Sequence, residues 1–165
     1  MAKPNGLVKI SGNLLENPKV LRRLKRELRT YSLIVLVGGG QSINEIFEEG
    51  GWEIKFCPLG WVFETLEQRQ AARDELERNQ ALMQDLLDEK GIEARVEIPV
   101  RYVGNVLCHE NGDVMILSAY NGFDKFFIFT LKSRVKAKQE WLKQIAKCFQ
   151  HIAEGKLDKI EVVGF

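Results

Sequence analysis

The stretch Leu33-Ile34-Val35-Leu36-Val37-Gly38-Gly39-Gly40-Gln41-Ser42-Ile43-Asn44 decides how this chain folds. Its continuous apolar run, rich in β-branched side chains, suits a strand covered on both faces. Three glycines interrupt the run, and Ile43, Ile46 and Phe47 then recur at helical spacing until Gly50-Gly51 stops the pattern. A unit of the same kind lies upstream. Leu7-Val8-Lys9-Ile10 is a short apolar strand entering Ser11-Gly12-Asn13, and Asn17-Pro18 opens a helix carrying Val20, Leu21, Leu24 and Leu28. Two such units side by side bring a lysine, backbone N–H groups and two helix N-termini to one sheet edge. Open α/β sheets take anions and nucleotides at that place.

Downstream the alternation continues. Trp52 to Phe56 alternates weakly, as an edge strand or a loop. Glu64 to Lys90 is the longest helical segment, with Leu66, Ala72, Leu76, Leu82, Met83, Leu86 and Leu87 as its apolar stripe and Gly91 as its stop. Glu93 to Val100 reads as a strand. Val106 to Leu117 fits either a hairpin turning at Asn111-Gly112 or a strand ending near Cys108 with a helix from Asp113 to Tyr120; the second continues the alternation. Lys125–Thr130 is a buried-type strand, Lys136 to His151 a helix, and Lys159 to Val163 a last strand. The expectation is a three-layer αβα sandwich with a mostly parallel sheet, in one domain over residues 1–165. Leu7–Ile10 and Leu33–Val37 should be parallel neighbours, and the last strand should close one edge.

Composition narrows the function classes. A net charge of +1 gives no global attraction to nucleic acid or to an anionic membrane. Arg22, Arg23, Lys25, Arg26 and Arg29 are interrupted by Glu27 and carry no interleaved aromatics, so they read as a solvated helix face. No apolar run approaches the roughly 20 residues of a membrane span. Cys57, Cys108 and Cys148 are odd in number and widely spaced, which suits reduced thiols in a cytoplasmic protein and no metal site. Cys108-His109 has no second ligand at metal spacing and reads as core plus rim.

Val8-Lys9-Ile10-Ser11-Gly12-Asn13, followed by Val35-Leu36-Val37-Gly38-Gly39-Gly40-Gln41-Ser42-Ile43-Asn44, resembles the amino acid kinase family in its acetylglutamate kinase-like branch. Arg101-Tyr102-Val103-Gly104, Asn111-Gly112-Asp113 and Phe123-Asp124-Lys125-Phe126-Phe127-Ile128-Phe129-Thr130 continue the likeness in order. It covers the family's N-terminal lobe, residues 5–135, leaving 136–165 as a short helix-strand extension in a truncated version of the fold. The family's nucleotide lobe would follow Thr130.

By this resemblance Lys9 neutralises a transferring phosphate and Asp113 organises the catalytic lysines. Gly12, Asn13, Gly38, Gly39, Gly40 and Asn44 form the phosphate and substrate cradle, and Asn111 holds a substrate carboxylate. ATP and Mg²⁺ are the cofactors the family implies. Two positions depart from its pattern: Thr130-Leu131 replaces the usual T-D, and Trp61 falls near the arginine that grips the amino-acid carboxylate. A tryptophan cannot form that bidentate ion pair. Lys132, Arg134, Lys136, Lys138 and Lys143 read as a solvated face, standing where a substitute phosphate contact would be wanted.

The expected function is therefore an amino acid kinase-like protein binding a small anionic ligand, carboxylate or phosphate, at its glycine-rich strand ends. It would act as a phosphotransferase if a dimer mate or a separate nucleotide-binding subunit completes the ATP site. The alternative is a non-catalytic regulatory or dimerising scaffold. The long segment from Glu64 to Lys90 is the expected homodimer surface.

Overall fold

The computed structural model describes residues 2–57, 59–152 and 156–165. Along the chain run β1 (Asn5–Ile10), α1 (Pro18–Glu27), β2 (Ser32–Val37), α2 (Gln41–Glu49), β3 (Phe56–Cys57), β4 (Gly60–Trp61) and α3 (Leu66–Glu89). They are followed by β5 (Arg95–Glu97), β6 (Val100–Val103), β7 (Val106–His109), α4 (Gly112–Ser118), β8 (Lys125–Thr130), α5 (Val135–Ala146) and β9 (Ile160–Gly164).

Five strands form one parallel sheet in the order β5-β2-β1-β8-β9. The expected adjacency of the first two strands and the edge position of the last are both present. Because side chains alternate along a strand, the sheet has two apolar faces. Val8, Ile10, Val35, Val37, Phe127 and Phe129 pack with Val20 and Leu24 of α1 and with Met83 and Leu87 of α3. Leu7, Leu36, Phe126 and Ile128 pack with Ile116 and Leu117 of α4 and Leu142 and Ala146 of α5. The result is an α/β sandwich. Lys9 breaks the pattern, lying between Leu36 and Ile128 in register on the α4–α5 face.

The chain winds outward from β1 through β2 to β5, then returns to the other side of β1 for β8 and β9. Strand order thus reverses between β1 and β8. Crevices in open α/β sheets form at such a reversal, beyond the carboxyl ends of the strands.

Several elements differ from the sequence reading. Residues 93–100 do not make one strand: β5 ends at Glu97, and Val100 begins an antiparallel hairpin with β7. That hairpin turns at Gly104, whose φ of 60° suits a residue without a side chain. Of the two readings of Val106 to Leu117, the strand followed by a helix is the one present: β7 ends at His109 and Asn111 caps α4. Of the weakly alternating Trp52–Phe56 stretch only Phe56 is paired, opposite Trp61. Helix α5 stops at Ala146, short of His151. Helix α3 buries Gln68, Ala72, Leu76, Asn79, Met83 and Leu87, while Leu66 and Leu82 are 56% and 39% exposed. The spacing of the buried set is helical, but two of its members are amides. Asn79 is drawn inward by the Gly38 carbonyl, to which its Nδ2 donates at 3.5 Å. Gln68 closes a capping box with Thr65.

Candidate functional site

A cleft of about 660 Å³ opens beyond the carboxyl ends of β1, β2 and β8. Lys9, Gly12, Asn13, Gly38, Gly39, Gly40, Asn44, Asn111 and Asp113 all line it. Residues from three distant stretches of chain are therefore neighbours, because parallel strands end together and the helices that follow begin there.

The three glycines after β2 do different things. A Cβ on Gly39 would stand 2.1 Å from Ile43 Cδ1, and Gly40 has a φ of 56° with Asn13 Oδ1 only 2.5 Å from where its Cβ would be. Packing and backbone conformation demand glycine at both. Gly12 is equally constrained, since its Cβ would meet the Gly39 carbonyl oxygen at 2.6 Å. Gly38 is not. A Cβ there would touch only Ile10 O and Lys9 Cε, both at 3.8 Å. Gly38 leaves room beside Lys9 that packing does not require.

The three asparagines hold the site together through their oxygens. Asn13 Oδ1 accepts from the Gln41 N–H at 3.2 Å, at the start of α2. Asn44 Oδ1 accepts from Trp61 Nε1 at 2.8 Å, tying the β3–β4 hairpin to α2. Asn111 Oδ1 accepts from the N–H groups of Asp113 and Val114 at 2.9 and 3.4 Å. All these partners are obligate donors, so what each asparagine has left for a ligand is its Nδ2 donor.

At the floor, Asp113 is 3% exposed. Its Oδ2 accepts a short hydrogen bond from Lys138 Nζ of α5. Its Oδ1 faces Lys9 Nζ across 3.5 Å and makes no hydrogen bond among the described residues. Burial pushes the Asp113 carboxyl upward, but Lys9 and Lys138 outweigh it and hold the group below the ordinary carboxylate range. Burial pulls Lys9 below the usual lysine value; attraction to Asp113 opposes this, and repulsion from Lys138 and Arg134 adds to it. Lys138 also lies over the Trp141 ring, 5.5 Å from its centroid.

Arg134, Lys138 and Trp141 line the cleft, although the sequence reading left this helix as a solvated face. Their spacing of four and three residues puts them on one side of a helix, and that is the signal that distinguishes them from Lys136 and Lys143.

The outer wall is aromatic. Phe56 and Trp61 are 5.6 Å apart between ring centroids and tilted by 39°, and Phe63 meets the His109 ring at 4.5 Å. His109 Nε2 lies 2.8 Å from the Arg69 carbonyl oxygen, which can only accept, so Nε2 carries the proton and Nδ1 is an acceptor. Burial lowers the His109 pKa, so the ring is neutral near pH 7. Among the described residues no group of three His, Cys, Asp or Glu side chains could hold a metal ion. No helix among them is long and apolar enough to cross a membrane.

Comparison with known proteins places the fold. No protein-family model matches the chain, and no curated protein does. Among solved structures it is similar to N-acetylglutamate synthase from Neisseria gonorrhoeae, complexed with coenzyme A and L-arginine. The TM-score is 0.66 at 10% identity over 99% of this chain and 57% of the synthase. It is similar to smu.665 from Streptococcus mutans UA159, with a TM-score of 0.60 at 12% identity, covering 95% of this chain and 93% of that one. It is also similar to Giardia carbamate kinase, with a TM-score of 0.53 at 6% identity, covering 99% and 93%. At such identities the likeness is one of fold: a parallel-sheet α/β architecture shared with a synthase and a kinase. The chain spans little more than half of the synthase.

Proposed function

We propose that this chain is an amino acid kinase-like protein whose cleft binds a small anionic ligand, a carboxylate or a phosphate, at the floor formed by Lys9 and Lys138. The observation that carries the reading is the charge balance there. Two lysines, Lys9 and Lys138, share a single buried carboxylate, Asp113, and the exposed Arg134 adds its field at Lys9, which leaves positive charge in excess at the floor. Burying cations without compensation is costly, and an anion seated among them relieves that cost. The room beside Gly38 and the remaining Nδ2 donors of Asn13, Asn44 and Asn111 suit the same guest.

A phosphoryl group fits this floor, because phosphoryl transfer asks the protein chiefly for alignment and positive charge on the transferring oxygens. Lys9 and Lys138 would hold those oxygens, with Asp113 keeping the two ammonium groups in position. ATP would supply the phosphoryl group, and Mg²⁺ would be held largely by its phosphates and by water. The nucleotide would be presented by a dimer mate or a separate chain. Exposed Leu66 and Leu82 on α3 support pairing through that helix. Light scattering at micromolar concentration should give the mass of a dimer, and a monomer mass would count against it.

Calorimetric titration with inorganic phosphate, acetate and MgATP tests the reading. Phosphate or acetate should bind, and Lys9→Ala should weaken binding roughly ten- to hundredfold, the worth of a charged hydrogen bond. A protein that binds none of the three at millimolar concentration, with Lys9→Ala folding normally, is a scaffold.

A further inference from the structure

We infer that the ligand joins its anionic group to a flat unsaturated ring, which lies against the aromatic wall of the β3–β4 hairpin. The inference rests on the anion reading above and names the rest of the molecule. Trp61 donates its only hydrogen-bonding group to Asn44, so what the indole offers to the cleft is ring surface. Phe56 beside it is an apolar side chain on the cleft lining that is 60% exposed. Phe63 and the neutral His109 extend the wall, and His109 Nδ1 is an acceptor suited to an N–H or O–H donor on the ring's edge.

The charges also exclude the alternative of a second acidic group. Glu45, Glu48 and Glu110 line the same cleft, whereas its cations gather at the floor. Glu110 is paired with Arg101 at 2.8 Å, which leaves no cation of that pair for a ligand carboxylate. A dicarboxylate would push its outer charge toward acidic and aromatic side chains. A ring with one anionic substituent meets a complementary surface at both ends.

Two matched probe pairs test this by calorimetry: phenyl phosphate against cyclohexyl phosphate, and phenylacetate against cyclohexylacetate, with inorganic phosphate as the reference anion. The aromatic member of the preferred pair should bind about two- to tenfold tighter than its saturated partner, the worth of an aromatic contact beyond area burial. The preferred pair tells a phosphate from a carboxylate. Phe56→Ala, at an exposed position, and Trp61→Leu should each narrow the aromatic-to-saturated ratio toward one. Equal affinities within both pairs, or ratios unmoved in both variants, would overturn the ring inference while phosphate binding kept the anion reading. Failure of every probe, inorganic phosphate included, would overturn both.

Discussion

Lys9 is held between opposing forces, and its titration is where they can be read. Burial favours the neutral amine and Asp113 favours the ammonium, with burial the larger effect. Its native pKa lies below the ordinary 10.5, so between the two values the unfolded chain holds a proton that the native protein has released. Stability contributed by this residue therefore rises with pH across that window. Lys9→Met should abolish the rise, measured as urea unfolding midpoints on either side of pH 10.5. Anion binding runs the other way, since it needs the charged form, and should fade as pH climbs through the lowered pKa. The glycines separate by the same logic. Gly39→Ala forces Ile43 aside and should cost about 1–3 kcal/mol of stability. Gly38→Ala should leave stability nearly unchanged and weaken phosphate binding roughly tenfold, about 1.4 kcal/mol, by filling the space beside Lys9. In sequence the three glycines look alike; only the positions of Ile43, Asn13 and Lys9 tell them apart.

Helix caps place the site's side chains, and their cost divides between folding and binding. Asn111 caps α4, a helix of seven residues whose first turn carries Asp113. Thr65 caps α3 with a complete capping box, at the helix end that carries Gln68. Thr65→Ala and Asn111→Ala should each cost about 1 kcal/mol in denaturant unfolding. Only Asn111→Ala should also weaken anion binding, because only that cap sets the position of Asp113. The Asn17-Pro18 start of α1 and the Gly91 stop after α3 were legible because caps are local chemistry. The β6–β7 hairpin was not, since residues 93–100 read as one strand and only pairing with β7 shows that Val100 begins a second one. Lys138 departs from the solvated-face reading for a related reason, whereas Arg134 is exposed as expected. A basic residue on a helix is usually solvated, and what draws Lys138 inward is a carboxylate 25 residues away in sequence.

At the scale of the whole molecule, the reversal of strand order between β1 and β8 brings a lysine, two glycine turns and the start of α4 to one crevice. That much followed from strand–helix alternation, because parallel strands joined by helices leave few other arrangements. The outer aromatic wall could not be foreseen, since it depends on short hairpins whose pairing is tertiary. Asp113 links the site to global stability. Its native pKa lies below 3.8, so its contribution is complete above that value and is lost as pH falls through the native pKa, where the unfolded chain binds the proton first. Asp113→Asn removes the buried partner of two partly buried lysines and should cost about 3 kcal/mol at neutral pH, the low end for breaking a buried pair, with a flatter acid limb in the stability profile. The most direct test of the charged floor is an NMR titration of lysine-labelled protein, following the Lys9 side chain with and without inorganic phosphate and assigned with Lys9→Arg. The account predicts a Lys9 pKa below 10.5 in the free protein that rises when phosphate is present. A Lys9 that titrates at the ordinary value and does not respond to phosphate would contradict it.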